Sequence, residues 1–293
     1  TKLTRSSFTS TVTNTTTGTI YYADTSKGRT YYFAGNPTDN WVRFGNFYWR
    51  IIRINEDGTI RMIYSGNVSS GPVEEGDFTQ IQYSAFNSTN NNNMYVGYMY
   101  QSNQVHGLTS NSIIKGILDT WYQNNLTSVS DKIDGNAGFC GDREPSTSNT
   151  TSNGSGGTGS TQTYYGAYIR LVNSSKNPTF ECQNDSDLYT TSGSEDGNGA
   201  LTYPIGLITA DEVSYAGGVY RTTNQSYYLY TDQSYWTMSP CRYLYASVFR
   251  VLSDGNLLYI DVNNTHGVRS VINLKADVTI QSGTGTAQDP YII

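Results

Sequence analysis

The chain has 293 residues, a formal net charge of −6 and only 14% charged residues. A length of this order can bury a sizeable core, no stretch approaches the ~20 consecutive apolar residues of a membrane-spanning helix, and an acidic balance without any Lys/Arg run argues against a nucleic-acid partner, whose phosphates demand basic patches. With 36% hydrophobic residues, 26 Tyr and 29 Gly, the composition favours many short strands and long loops over a helical bundle.

In chain order, the sequence starts at Thr1 with neither an initiator Met nor a signal segment, and is read as a mature or trimmed ectodomain whose leader and any membrane anchor lie outside it. Residues 1–30, with a Ser/Thr-rich tract from Thr4 to Thr19, suggest a linker or an edge strand, and 31–293 a single domain. From Trp41 to Tyr64 the pattern predicts paired strands around Glu56-Asp57-Gly58, with Phe47, Trp49, Ile51, Ile60 and Ile63 available for a core. From Ser110 to about Asn124, the residues Ile113, Ile114, Ile117, Leu118, Trp121 and Tyr122 recur at three- and four-residue steps, which predicts a helix. The low-complexity tract from Ser146 to Thr163 reads as a surface excursion within the domain. Thr209 and Glu212 have the spacing of a capping box, so a second, shorter helix is expected to start at Thr209 and stop near Gly217-Gly218.

Cys140 and Cys182 bracket the polar tract, and a bond between them would close a loop of about forty residues, stabilising by roughly 3 to 4 kcal/mol in the chain-entropy treatment. We expect that disulfide; pairing of Cys241 with either of the others stays open on sequence alone.

The segment from Tyr235 to Leu274 combines an ordered frame with side chains in no periodic order. Ala246, Val248 and Val251 read as inward positions, Asp254-Gly255 as a turn, and Val262, Val268, Val271 and Leu274 as the returning apolar register. Lys, Glu, Gln, Met and Trp supply 32 of the 293 residues, yet none falls between Ser239 and Leu274, where roughly four would be expected from average usage. Those five are the amino acids that a codon ending in a pyrimidine cannot write. The pattern points to codon-level randomisation, although strands are already poor in Lys, Glu and Gln.

Trp236, Ser239-Pro240, Ala246, Asp254-Gly255, Val262 and Gly267-Val268-Arg269 follow the spacing W-x-x-S-P … A … D-G … V … G-V-R. This resembles the C-terminal variable region of diversity-generating retroelement target proteins. The resemblance extends upstream through Asn46 to Asn55 and through Leu201 to Glu212, covers most of the chain from about Tyr31, and is nearest in kind to surface or pilin-like members from gut Firmicutes. One departure is Ser270, where such proteins usually carry proline. The resemblance implies an α+β, C-type lectin-like fold, strand-rich with two helices and long loops. It also implies a variable region, 239–274, in which asparagine codons of a template are mutated at adenines while scaffold positions stay fixed.

Under that reading the contact residues are Arg242, Tyr243, Leu244, Tyr245, Ser247, Phe249, Arg250, Tyr259, Asp261, Asn263, Asn264, Thr265 and His266, with Tyr243, Tyr245, Arg250, Tyr259 and His266 expected to share one open face. The tyrosines and Phe249 would give contact area with few rotatable bonds, and the polar residues specificity. Phe249 and Leu258 also fit a core, and Asn263-Asn264 also fit a turn. Cys241 is read as an accident of diversification or a structural thiol.

The expected function is non-enzymatic binding of a protein or glycan on another cell, phage or host surface, by a protein displayed outside a bacterial cell. No cofactor is expected, and membrane attachment only through a segment outside this chain. The alternatives are a structural pilin or surface-layer subunit, assembling through its tyrosine faces, and a calcium-independent carbohydrate-binding lectin. His106 and His266, the only two histidines, lack a second ligand at zinc spacing, and Glu144-Pro145 is followed by Ser146, unlike the calcium-dependent sugar motifs of C-type lectins. Asp185, Asp187, Glu195 and Asp196 could hold a calcium ion through oxygen ligands, but solvated loop acids are the commoner case. The chemistry of formylglycine-generating enzymes needs two reactive cysteines, and no G-x-S-x-G is present for a serine hydrolase.

Overall fold

Two of the three α-helices start where their capping residues stand. The computed structural model describes residues 1–147, 156–173, 175–194 and 197–293, and among these α1 spans Ile113–Asn125, α2 Gly166–Val172 and α3 Ala210–Ala216. The Ser112 side chain accepts from the Lys115 amide at the start of α1. At α3, Thr209 and Glu212 form the reciprocal capping box, and Gly217 closes the helix in the left-handed region at φ 118°. The helix α2 was not expected from the sequence. Its N-terminal residue Tyr165 gives no side-chain cap, and seven residues are too few for a periodic signal.

The remaining structure is mainly strand. A larger sheet is organised on Phe47–Ile54, which pairs with Gly28–Tyr32 and Trp41–Phe44 along one side and with Ile60–Asn67 along the other. Val271–Leu274 then adds outside Ile60–Asn67. The second sheet has the order Leu257–Asp261, Ala246–Val251, Tyr235–Tyr243, Thr265–Val268, Gln82–Ala85, and Thr163–Tyr164 pairs with the far end of Tyr235–Tyr243. Ile20–Thr25 and Lys2–Leu3 extend the larger sheet beyond Gly28–Tyr32, Tyr291–Ile292 pairs with Trp41–Phe44, and three two-stranded pairs complete the described strands.

This corrects the expected fold. Instead of a two-helix lectin-like domain, the described residues form several separate sheets with three α-helices and four short 3-10 helices, at 32% strand and 15% helix. The physical reason lies in the chain's tyrosines, β-branched residues and glycines, which suit short pleated segments broken by turns.

The N-terminal tract is packed against the larger sheet. Lys2–Leu3 pairs in parallel with the start of Ile20–Thr25, the Arg5 guanidinium donates to the Ser214 and Tyr215 carbonyls at 2.9 and 2.8 Å, at the end of α3, and Phe8 is buried with Tyr32, Ala34 and Tyr215. Elsewhere one large core joins the sheets and helices, and it contains Trp49, Ile51 and Ile63 of the first predicted hairpin, with Phe47 and Ile60 at its margin. Cys140 and Cys182 are bonded, 42 residues apart, and Cys241 is free and buried. Residues 148–155 of the polar tract, like Glu195 and Asp196, lie outside the described residues.

Arg269 and Ser270 carry the chain from the second sheet to the larger one. Arg269 is fully buried, donates from Nε and Nη2 to the Tyr64 carbonyl at 3.2 and 2.9 Å, and lies 4.9 Å from the Tyr235 ring. The Ser270 carbonyl accepts from the Tyr64 amide at 2.9 Å, but its buried hydroxyl has no partner. An unpaired buried hydroxyl costs about 1 kcal/mol or more. Ser270→Ala is therefore expected to raise the denaturant midpoint, whereas Arg269→Ala, which strands the Tyr64 carbonyl and empties the volume, should lower stability by about 2–4 kcal/mol; paired urea titrations of the two variants check both signs.

Candidate functional site

The frame of the C-terminal segment is buried almost throughout. Trp236, Ser239, Ala246, Val248, Val251, Val262, Val268 and Arg269 have 0% exposure, and Pro240, Gly255 and Gly267 are buried with them. Several of these residues also bond outward to the scaffold. Trp236 Nε1 donates to the Ser84 carbonyl at 2.9 Å, and the Ser239 hydroxyl accepts from the Ala210 amide at 2.9 Å, satisfying a donor in the first turn of α3. At the turn, the Gly255 amide donates to the Leu252 carbonyl at 2.9 Å, and Gly255 holds φ 79° with the Asn224 carbonyl only 1.8 Å from where a Cβ would stand. No other residue fits there.

The thirteen candidate contact residues do not share one face, which corrects the expectation of a single open surface. Successive side chains on a strand point to opposite sides, and the register of Ala246–Val251 against Leu257–Asp261 places Ser247, Phe249, Asp261 and Tyr259 on one side with Arg250 and Leu258 on the other. Arg242 pairs with Ser247 and so lies on the first side; its guanidinium is 4.6 Å from the Tyr259 ring. Arg250 lies on the second side, where its Nη1 is 2.6 Å from His266 Nε2, and the His266 ring meets Trp236 edge-on at 5.0 Å.

Three of the thirteen are buried: Phe249 and Ser247 in the sheet, and Tyr243, whose hydroxyl donates to the Asn91 carbonyl at 2.8 Å. Ser247 Oγ is 3.0 Å from one oxygen of Asp261, and Asn90 Nδ2 donates to the other at 2.7 Å. The exposed candidates gather at one end of the sheet. Leu244 and Tyr245, at 47% and 61% exposure, form the tip between Tyr235–Tyr243 and Ala246–Val251, and Asn263, Asn264 and Thr265 form the exposed turn after Leu257–Asp261. The tip is braced from outside the segment by the Ala246 amide, which donates to the Asn90 carbonyl at 3.0 Å.

Sequence reasoning missed this brace, and it also missed a run of half-buried tyrosines beside Tyr259. Tyr220 stacks on Tyr259 at 6.1 Å with 9° between the rings, and Tyr168 packs on Tyr164 at 4.6 Å. The only sequence signal was the richness in tyrosine, since residues 164, 168 and 220 lie far from the segment and meet it only in three dimensions.

Away from this end, a cavity of about 330 Å³ lies beside the disulfide. Its arginines are all paired with carboxylates. Arg170 pairs with Asp142 and Asp211, and Arg53 and Arg61 share Glu212 at 3.1 and 2.6 Å. Burial pushes the Asp142 carboxyl up to about 6, against the pull of Arg170. None of the thirteen candidates lines this cavity. Asp187, considered as a calcium ligand, is buried and pairs with Arg143 at 2.7 Å and with His106 at 3.1 Å. No group of three or more His, Cys, Asp or Glu placed to hold a metal ion occurs among the described residues, and no helix among them is long and apolar enough to cross a membrane. The Cys241 thiol is pushed well above its ordinary range by burial.

No family model, no curated protein and no solved structure matches the chain.

The two histidines are displaced in opposite directions. The hydrogen bond that its ring gives to the Asp187 carboxylate raises His106 above 6.5, so its contribution to stability is complete below that value and is lost as pH rises through the raised folded-state pKa. Burial, then the charge of Arg250, lowers His266 to about 4. Its contribution is present above 6.5 and is lost as pH falls from there towards 4. With only two histidines in the chain, their ring protons should give two separate NMR titrations, one above pH 6.5 and one near 4. The lower one should disappear in His266→Gln.

Proposed function

We propose that this chain is a non-enzymatic ligand-binding protein, displayed outside a bacterial cell, whose C-terminal segment is varied by adenine-directed mutagenesis on a fixed frame. The observation that carries this reading is a partition by burial. The frame residues on which the resemblance rests are buried, Asp254 of the turn excepted, whereas Arg242, Leu244, Tyr245, Arg250, Tyr259, Asp261, Asn263, Asn264, Thr265 and His266 are half-buried or exposed. Substitutions at exposed positions usually change stability by no more than about 0.5 kcal/mol, while truncating a buried aromatic costs about 3–5 kcal/mol. A sequence can therefore change at the first set and keep its fold.

The contact surface under this reading is the end of the second sheet, where Leu244-Tyr245 and the 263–265 turn stand out together, with Arg242 and Tyr259 on one flank and Arg250 and His266 on the other. Tyrosine at a projecting tip supplies area at low entropic cost, and short polar residues in an adjacent turn adapt their hydrogen bonding, as in antibody loops. The disulfide is compatible with an oxidising location outside the cytosol. The likeness to diversity-generating retroelement target proteins supplies the mutagenic mechanism, and the absence of Lys, Glu, Gln, Met and Trp between Ser239 and Leu274 agrees with it.

The decisive experiment is to sequence the DNA around the coding region. A near-copy of the 239–274 segment, differing at adenines and accompanied by a reverse transcriptase gene, is expected, and a locus without either ends the diversification reading. In the protein, a library randomised at positions 244, 245, 263, 264 and 265 should stay folded in most members by thermal melting, whereas Trp236→Ala should lose about 3–5 kcal/mol.

A further inference from the structure

Beside the varied segment lies a basic aromatic patch that the acidic composition gave no reason to expect. Tyr220 and Tyr259 stack in near-parallel fashion, and three cations surround the stack. Arg242 stands 4.6 Å from the Tyr259 ring, Arg221 5.2 Å and Lys176 5.6 Å from that of Tyr220. Arg221 is exposed, and Lys176, Tyr220, Arg242 and Tyr259 are half-buried. Among the described residues none of these three cations pairs with a carboxylate. Asp261, on the same side of the sheet, is instead hydrogen-bonded to Ser247 and Asn90. This differs from Arg50, Arg53, Arg61, Arg143 and Arg170, each of which meets a Glu or Asp. A guanidinium lying over a ring keeps its N–H donors directed outward from its edge, where the ring cannot satisfy them.

We infer that this patch binds an acidic polysaccharide, its carboxylate or sulfate groups taken by Lys176, Arg221 and Arg242 and its sugar hydroxyls by the polar edges of Tyr220 and Tyr259. The chemistry divides cleanly between the two residue types. Guanidinium groups present paired donors that match carboxylate and sulfate oxygens, while tyrosine offers a flat apolar body with a polar edge. A nucleic acid needs a basic stripe long enough to follow successive phosphates, whereas this patch groups three cations round a single tyrosine pair. The inference rests on the ligand-binding reading only for Arg242 and Tyr259. Lys176, Arg221 and Tyr220 lie outside the varied segment, and they would give every variant a constant affinity for charged glycan that the varied residues then modulate.

The test measures binding of the purified chain to polygalacturonate, heparin, neutral dextran and single-stranded oligo(dT) by biolayer interferometry at two salt concentrations. Binding to polygalacturonate, heparin or both is expected, weakening as salt rises, with the stronger of the two identifying carboxylate or sulfate as the preferred anion. The double variant Lys176→Gln/Arg221→Gln, at partly or fully exposed positions, should lose about tenfold in affinity with an unchanged melting temperature, about threefold to fivefold per charge. Failure to bind either polyanion, equal binding to dextran, tighter binding to oligo(dT), or a double variant with undiminished affinity would each overturn the proposal. A negative result here leaves the genomic test of diversification untouched, and a locus lacking the template copy leaves a positive glycan result standing.

Discussion

The structure depends on a guanidinium held where the chain passes between two sheets. Arg269 gives two hydrogen bonds to the carbonyl of Tyr64 and packs on Tyr235, so a residue of the larger sheet and a residue of the second sheet are tied to one side chain. Because charged-group hydrogen bonds are stronger than neutral ones, this contact fastens the chain where Thr265–Val268 leaves one ladder and Val271–Leu274 enters the other. The C-terminal segment 239–274 ends four residues beyond this crossing. Its strands are thus fastened to the scaffold at their last residues as well as through Trp236 and Ser239 at their first.

What the sequence made legible was whatever short-range chemistry controls. The Thr209/Glu212 box, the stop at Gly217 and the spacing from Ile113 to Tyr122 all depend on residues within a turn or two, and the helices formed there. Asp254-Gly255 and the apolar positions of the C-terminal segment were equally readable, since period-two burial and a positive-φ glycine are local properties. Helix α2 was not readable, because a tyrosine without a cap begins it next to a low-complexity tract.

The candidate site was legible in its parts and misread in its assembly. Residue types marked Arg242, Tyr245, Tyr259 and His266 as candidates, but the pleat and two register shifts in Tyr235–Tyr243 determine which side each occupies. Those shifts cannot be counted from a sequence. Phe249 went to the core because it shares a side of the sheet with Val251 and Leu257, all three fully buried. The parts that remained invisible, Asn90 under Asp261 and Tyr220 against Tyr259, are contacts between residues distant along the chain, and nothing in local spacing encodes them.

The buried frame has a genetic counterpart. Tryptophan, proline, alanine, valine, glycine, serine and arginine can all be spelled with codons that contain no adenine, and these are the residues at positions 236, 239, 240, 246, 255, 262, 267, 268 and 269. A copying error restricted to adenines would pass over such codons without altering them, while each asparagine codon in the template offers two targets. Under the proposed mechanism, those nine positions would need no selection to survive mutagenesis when written in adenine-free codons, whereas the buried Ile272 and Asn273 have no such codon.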